Sequence, residues 1–227
     1  MKLEKTTKPR QSDGKRSYDD ACGLAHALEL IGERWALLVM RELMFGPRRF
    51  SGLKRDLPGI SPNVLSQRLA ELEERGLVRK TKLPPPASVQ VYEATEWGLE
   101  AAPVLRKLGR WAVRSLAHDP SRPVSHVSIM MSQETMFDPA LAGDLATRAG
   151  FRFGRMAYVA EVRDGRIAVR REEPEDCDFV ITAAPEQLAG LLYGGAPLES
   201  AGIEGDVELA RRYLALFPLP PKVEPES

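Results

Sequence analysis

The chain has 227 residues, of which 43% are hydrophobic and 28% charged. That suits one large or two small globular domains and excludes a disordered chain. No apolar stretch reaches the about 20 residues that cross a bilayer, and the Lys-rich start to Arg16 lacks the apolar core of a secretory signal. A soluble cytoplasmic protein with no membrane contact is expected. The two cysteines, Cys22 and Cys177, suit neither a disulfide framework nor a metal cluster. The formal net charge is zero, yet the charge is divided. Through His118 there are 21 Lys and Arg against 14 Asp and Glu; from Asp119 onward there are 11 against 18. A basic half joined to an acidic half suggests that only the first faces a polyanion.

The predicted elements begin after a tail, residues 1–19, whose Lys2, Lys5, Lys8, Arg10, Lys15 and Arg16 form either a flexible cationic arm or a solvated terminus. Ala21 to Ile31 has helical spacing in Leu24, Ala27, Leu28 and Ile31. A second helix, Arg34 to Phe45, stops at Gly46-Pro47. A short helix, Ser51 to Leu57, follows, then the turn Pro58-Gly59-Ile60. Ser61 caps the next helix and Pro62 occupies its first turn; it runs to about Arg75. Leu77 to Leu83 and Val89 to Ala94 read as a hairpin whose loop, Pro84 to Ser88, projects stiffly because proline cannot extend a ladder. Thr95 caps a long helix to about Leu116. Its stripe of Trp97, Ala101, Val104, Leu108 and Trp111 calls for a partner helix, and Pro103 should kink or break it. After a linker, residues 119–124, the pattern changes. Phe151 to Phe153, Ala157 to Val162, Ile167 to Val169, Phe179 to Thr182 and Ile203 to Gly205 read as short strands. Asp164-Gly165 is a hairpin turn. Pro185 to Tyr193 and a helix capped by Asp206 complete this part, and the segment 221–227 is expected to be loose.

The Ser61-capped helix carries the chemistry. With Leu65, Leu69 and Leu72 facing inward, Asn63 and Gln67 face out with Ser66 beside them. Asn and Gln pair bidentately with adenine, Ser reaches several acceptors, and Val64 suits a thymine methyl. Ser61, Asn63, Val64, Ser66 and Gln67 are the candidate base contacts. Glu71, Glu73 and Glu74 would repel phosphate, so the N-terminal end should enter the major groove. Arg48, Arg49, Lys54, Arg55, Arg68, Arg79, Lys80 and Lys82 are candidate phosphate contacts, with Ser88 at the hairpin tip. Arg68 could instead pair with Glu71.

Leu30-Ile31-Gly32-Glu33-Arg34-Trp35, Gly46-Pro47-Arg48-Arg49-Phe50 and the run Leu57 to Leu69 resemble the HxlR-type, MarR-like winged helix-turn-helix regulators of bacteria. Glu73 to Val78 and Tyr92 to Gly98 extend the match. The resemblance implies a homodimer on a pseudo-palindromic operator in double-stranded DNA, paired through its first and last helices, over residues 20–118. In that family a cysteine followed by proline opens the first helix and senses oxidants in some members. Here Cys22 precedes Gly23, and Asp19 and Asp20 oppose a thiolate. Cys22 is thus either a redox sensor or a packing residue.

Residues 125–220 resemble the sterol-carrier-protein-like fold. The likeness rests on Phe137-Asp138-Pro139, Asp164-Gly165, the run Asp178 to Ala183 with Pro185-Glu186, and Ile203-Glu204-Gly205-Asp206. It implies an α+β chain: a winged helix-turn-helix domain, then a mixed α/β domain with about five strands covered by helices. It also implies an apolar tunnel, with Phe151, Phe153, Tyr158, Leu188, Leu192 and Phe217 as candidate lining, or else an ordinary core. The expected function is a transcriptional repressor whose second domain senses an apolar small molecule or only supports dimerisation. A lipid-like-ligand carrier or an enzyme is the remaining alternative. No catalytic motif, cofactor fingerprint or metal-ligand spacing stands out.

Overall fold

The computed structural model describes residues 17–224. The cationic segment before Ser17 therefore lies outside the described residues. No helix among those described is long and apolar enough to cross a membrane.

The chain opens with α1 (Gly23–Ile31) and α2 (Ala36–Leu43). The second helix starts two residues later than its apolar spacing predicts. Trp35 sits at φ 79°, and the Ala36 N–H bonds Glu33 O at 2.9 Å to close a turn. Next come α3 (Phe50–Asp56) and α4 (Pro62–Glu74). The Ser61 hydroxyl caps α4 by accepting the Val64 N–H at 3.2 Å. Strands β1 (Val78–Lys82) and β2 (Gln90–Ala94) pair antiparallel, Val78 opposite Ala94 and Lys82 opposite Gln90. Arg48 and Tyr92 exchange two backbone hydrogen bonds of 2.8 Å, which ties the approach to α3 onto this wing. Val39, Met40, Leu43, Leu53, Leu65, Leu69 and Leu72 bury one core among these elements.

The long helix expected from Thr95 is two: α5 (Glu96–Leu99) and α6 (Ala102–Ala112). Pro103 lies in the first turn of α6, where its missing N–H forfeits no helical bond. A Cβ on the buried Gly98 would meet the Leu77 carbonyl oxygen at 2.1 Å, so α5 lies on the wing only because that residue has no side chain.

The second half holds a five-stranded mixed sheet. Its strands are β3 (Thr147–Phe153), β4 (Met156–Arg163), β5 (Arg166–Arg170), β6 (Phe179–Thr182) and β7 (Gly202–Gly205). The order is β5-β4-β3-β6-β7, with β3 and β6 parallel and the other pairs antiparallel. The number of strands is the one expected. β3 begins four residues earlier than its aromatic signature, because it passes through Ala149 and Gly150, where a Cβ on Gly150 would meet Pro174 at 2.5 Å. Helices α7 (His126–Met136), α8 (Pro139–Ala142), α9 (Pro185–Tyr193) and α10 (Val207–Leu214) complete the fold.

No spacing in the sequence predicted α7. Val127, Ile129, Met130, Met131, Gln133 and Met136 are all buried, so the helix is enclosed on every side and has no amphipathic period. It packs against α2 and α6 of the first half and β5 and α9 of the second. The segment 221–224, expected to be loose, is also anchored: Lys222 Nζ donates to Val113 O and Ser115 O at the end of α6, at 2.9 and 3.0 Å.

A chain of buried polar groups joins the halves. Arg48, 4% exposed, donates to Glu42 Oε2 at 3.3 Å and bonds Asp56. Glu42 also accepts from Arg41 at 2.8 Å and from the Ser125 hydroxyl at 2.6 Å. His126 Nε2 lies 3.1 Å from Asp56 and its Nδ1 2.6 Å from the Tyr158 hydroxyl. A carboxylate only accepts, so Nε2 carries the proton; in the neutral ring Nδ1 then accepts from Tyr158. Burial pushes the Asp56 carboxyl up, but bonds from His126 and Arg55 and the charge of Arg48 outweigh it and hold the group well below the usual range.

A native carboxyl depressed in this way contributes stability that is present above the unfolded carboxylate pKa and lost as pH falls through the folded one. Asp56→Asn should cost about 3 kcal/mol at neutral pH, the lower end for breaking a buried pair, because Arg48 keeps Glu42. Its unfolding midpoint should then fall less steeply than wild type below about pH 4. Parallel acid limbs in urea denaturation would show that Asp56 does not carry this dependence.

Candidate nucleic-acid interface

α4 turns Leu65, Leu69 and Leu72 into the core, and this orientation fixes what it presents outward. Ser61, Asn63, Ser66 and Gln67 are exposed and Val64 is half-buried, so the proposed base contacts form one continuous surface on the first two turns. Two already have partners. The Ser61 hydroxyl accepts a cap bond, and Gln67 Nε2 donates to Glu71 Oε1 at 3.0 Å. Among the described residues Asn63 and Ser66 have no side-chain hydrogen bond, and they stand at the end of the helix where the amide dipoles point outward.

Two of the expected phosphate contacts lie elsewhere. Arg48 is enclosed by Glu42 and Asp56 in the junction between the halves. Arg68, 8% exposed, pairs with Glu71 at 2.5 Å and Glu33 at 3.4 Å. Spacing alone reads Arg48 as a surface cation and leaves Arg68 between a phosphate and Glu71, because it does not say whether a carboxylate waits behind an arginine; Arg68 takes the Glu71 alternative. Arg55 is exposed but bonds Asp56 at 2.8 Å through Nε and lines the space between the halves. Arg79 pairs with Glu93 across the wing at 2.7 Å.

Arg49, Lys54, Lys80 and Lys82 remain, with no carboxylate within ion-pair distance among the described residues. Arg49 and Lys54 belong to the start and body of α3. Lys80 and Lys82 alternate along β1 and so share one face of the wing. Ser88, at φ 39°, is exposed at the wing tip.

Three other features bear on the assembly. Leu24 and Leu28 on α1, Leu38 on α2, Trp97 on α5, and Val104, Leu108 and Trp111 on α6 are exposed, Trp111 at 70%. No residue of α6 is buried; its inner side is held to α7 by the 2.9 Å Arg106–Glu134 pair. Cys22 is exposed at the start of α1, and the Leu24 and Ala25 amides hold its thiol below the ordinary value.

Of the six candidate tunnel residues, Phe151, Tyr158, Leu188, Leu192 and Phe217 are buried in the core of the second half. Phe153 borders open space between the halves. The residues that sequence reasoning missed are Glu42, Asp56 and His126; Tyr158, expected along a tunnel, instead bonds His126. The one available signal was a glutamate among the buried positions of an apolar helix.

Residues 30–120 match the HxlR-like helix-turn-helix family. YvaP of Bacillus subtilis (strain 168), described as an uncharacterized HTH-type transcriptional regulator, is 36% identical over 42% of this chain and 86% of its own length. YkvN of the same organism, similarly described, is 44% identical over 40% of this chain and 77% of its own. A solved structure of the reduced form of the transcriptional regulator YodB from B. subtilis is 33% identical, covers 43% of this chain and 98% of its own, and superposes with a TM-score of 0.39. By the identity to YvaP and YkvN over most of their lengths, and the family match over residues 30–120, the chain belongs to the HxlR-like helix-turn-helix family.

Proposed function

We propose that this protein is a cytoplasmic, sequence-specific DNA-binding transcriptional repressor that holds a pseudo-palindromic operator as a homodimer. The observation that carries the proposal is the outer face of α4. Asn63, Ser66 and Gln67 are exposed on its first two turns, next to a wing strand that bears Lys80 and Lys82. In that docking the N-terminal half of α4 reads base edges in the major groove, with Ser61 and Val64 at its margin. Arg49, Lys54, Lys80 and Lys82, helped by Arg79 and Ser88, sit on phosphates. Residues 20–118 form the DNA-binding and dimerising unit. Residues 125–220 form a sterol-carrier-protein-like unit that senses an apolar small molecule. Binding is the proposed activity of both.

Support for the homodimer comes from the apolar face of α1, α5 and α6. A monomer would leave Leu24, Trp97, Val104, Leu108 and Trp111 in water, more large apolar surface than a monomeric protein usually exposes. Support for Cys22 as a redox sensor comes from its exposure and its amide-lowered thiol, since the thiolate is the reactive form.

Selection of bound duplexes from a random pool should return one preferred site with two half-sites. Asn63→Ala and Gln67→Ala should each relax discrimination by about 1–3 kcal/mol per lost base contact. Lys82→Ala should weaken all duplexes alike and lower the salt slope by about 1. Unchanged discrimination in both α4 variants would mean that this helix does not read the bases.

Trp111→Glu, at a site with no core packing of its own, should sediment as a monomer while keeping its circular dichroism. A variant that stays dimeric would move the dimer interface off α6. For Cys22, a mild thiol oxidant should weaken operator binding by wild type and leave Cys22→Ser unaffected; equal losses in the two proteins would remove the sensing role.

A further inference from the structure

Because five of the six expected tunnel residues fill a core, space for a ligand must be sought outside the sheet domain's interior. It lies between the halves. A cleft of about 700 Å³ opens between the end of α3 and the carboxyl ends of the parallel strands β3 and β6. Arg55 and Asp56 of α3 and His126 of α7 form one side. The β3–β4 turn with Phe153, Arg155 and Met156 forms another, and the segment from Thr182 to Pro185 leading into α9 closes the third. A smaller space of about 320 Å³ adjoins it, sharing Arg55, Asp56, His126 and Pro185. Small-molecule sites occupy about 300–1,000 Å³, combine apolar walls with a few convergent polar groups, and favour domain junctions.

The charges in the cleft are unequal. The Asp56 carboxylate is already engaged by Arg48, Arg55 and His126. Arg55 uses Nε and Nη2 on Asp56, which leaves Nη1 available. Arg155 is exposed and has no carboxylate within ion-pair distance among the described residues. One uncompensated guanidinium thus stands beside Phe153, Met156, Ala183 and Pro185.

We propose that this cleft is the effector site of the protein and that it takes an apolar or aromatic organic monoanion. The anionic group lies on Arg155 and the free edge of Arg55, and the body lies against Phe153, Met156 and Pro185. A guanidinium is the side chain best matched to a planar carboxylate. An occupant would touch the last turn of α3, whose final residue Asp56 lies five residues before the Ser61 cap of α4, so its differential contact could reach the DNA-reading helix. The effect on DNA rests on the regulator reading above; occupancy of the cleft does not.

The test uses the full chain, 1-naphthoate and its uncharged analogue 1-naphthamide, with binding followed by isothermal titration. The variants are Arg155→Glu and, as a steric plug, Ala184→Phe, both at exposed positions and both checked by thermal melting. Naphthoate should bind once per chain, with naphthamide at least about tenfold weaker. Each variant should lose at least about tenfold in naphthoate affinity while keeping the ligand-free operator affinity of wild type. Saturating naphthoate should shift operator affinity by at least about threefold, and operator should shift naphthoate affinity by the same factor. Naphthoate that fails to bind, or binds folded Arg155→Glu as well as wild type, overturns the site. Naphthoate bound in the cleft with operator affinity unmoved overturns the effector role. If no duplex is ever selected while naphthoate binds as described, the regulator reading falls and the ligand site stands.

Discussion

Arg48 is held between Glu42 and Asp56, and the arrangement of the two halves depends on that placement. A guanidinium at 4% exposure would be prohibitively costly alone and is tolerated only because its carboxylates are themselves fully bonded. The cluster recruits one group from each of five segments. Glu42 comes from α2, Arg48 from the strand-like approach to α3, Asp56 from the end of α3, His126 from α7 and Tyr158 from β4. Breaking any link would leave a buried charge or donor unsatisfied. The two halves are therefore fixed to one another by directional bonds as well as by the packing of α7.

This fixing has a consequence for charge. Arginines that would otherwise add to the basic surface are withdrawn into the structure, Arg48 at the junction and Arg68 against Glu33 and Glu71. Of the candidate phosphate contacts, those without a carboxylate within ion-pair distance among the described residues are Arg49 and Lys54, at the start and in the body of α3, and Lys80 and Lys82 on one face of the wing. They border the neutral hydrogen-bonding surface of α4 rather than surrounding it. In the proposed docking, such an arrangement would separate positioning by charge from discrimination by hydrogen bonds. The same junction encloses the cleft, so its floor is built from groups already committed to holding the halves together.

The apolar surface follows a similar division. The sequence supplies α6 with a stripe broad enough for two partners. The intrachain partner is α7, fastened by Arg106 to Glu134 and by Arg110 to the Thr135 carbonyl. Val104, Leu108 and Trp111 remain outward. The 221–224 segment bonds the carbonyls of Val113, Arg114 and Ser115 just beyond α6, linking that helix end to the second half through Phe217 and Leu216, which are buried in its core.

The sequence by itself determined the local elements whose signals are local. Ser61 and Pro62 start α4 because a hydroxyl and a fixed φ act within one turn; Pro103 breaks the long helix for the same kind of reason. The five short strands and the Asp164-Gly165 turn were legible run by run, their union in one sheet came from the sterol-carrier-like resemblance, and the face of α4 followed from three leucines. Only the tertiary structure decided which charges meet. Whether Arg48 faces a phosphate or Glu42 and Asp56 depends on residues brought together across the fold. Helix α7 escaped the sequence for a related reason: a helix buried on all sides has no polar face to set a period, and its existence follows from what packs around it. The aromatic residues of the second half were recognisable as apolar, but whether they line a space or fill one is a property of packing, and the structure places the space at the junction instead.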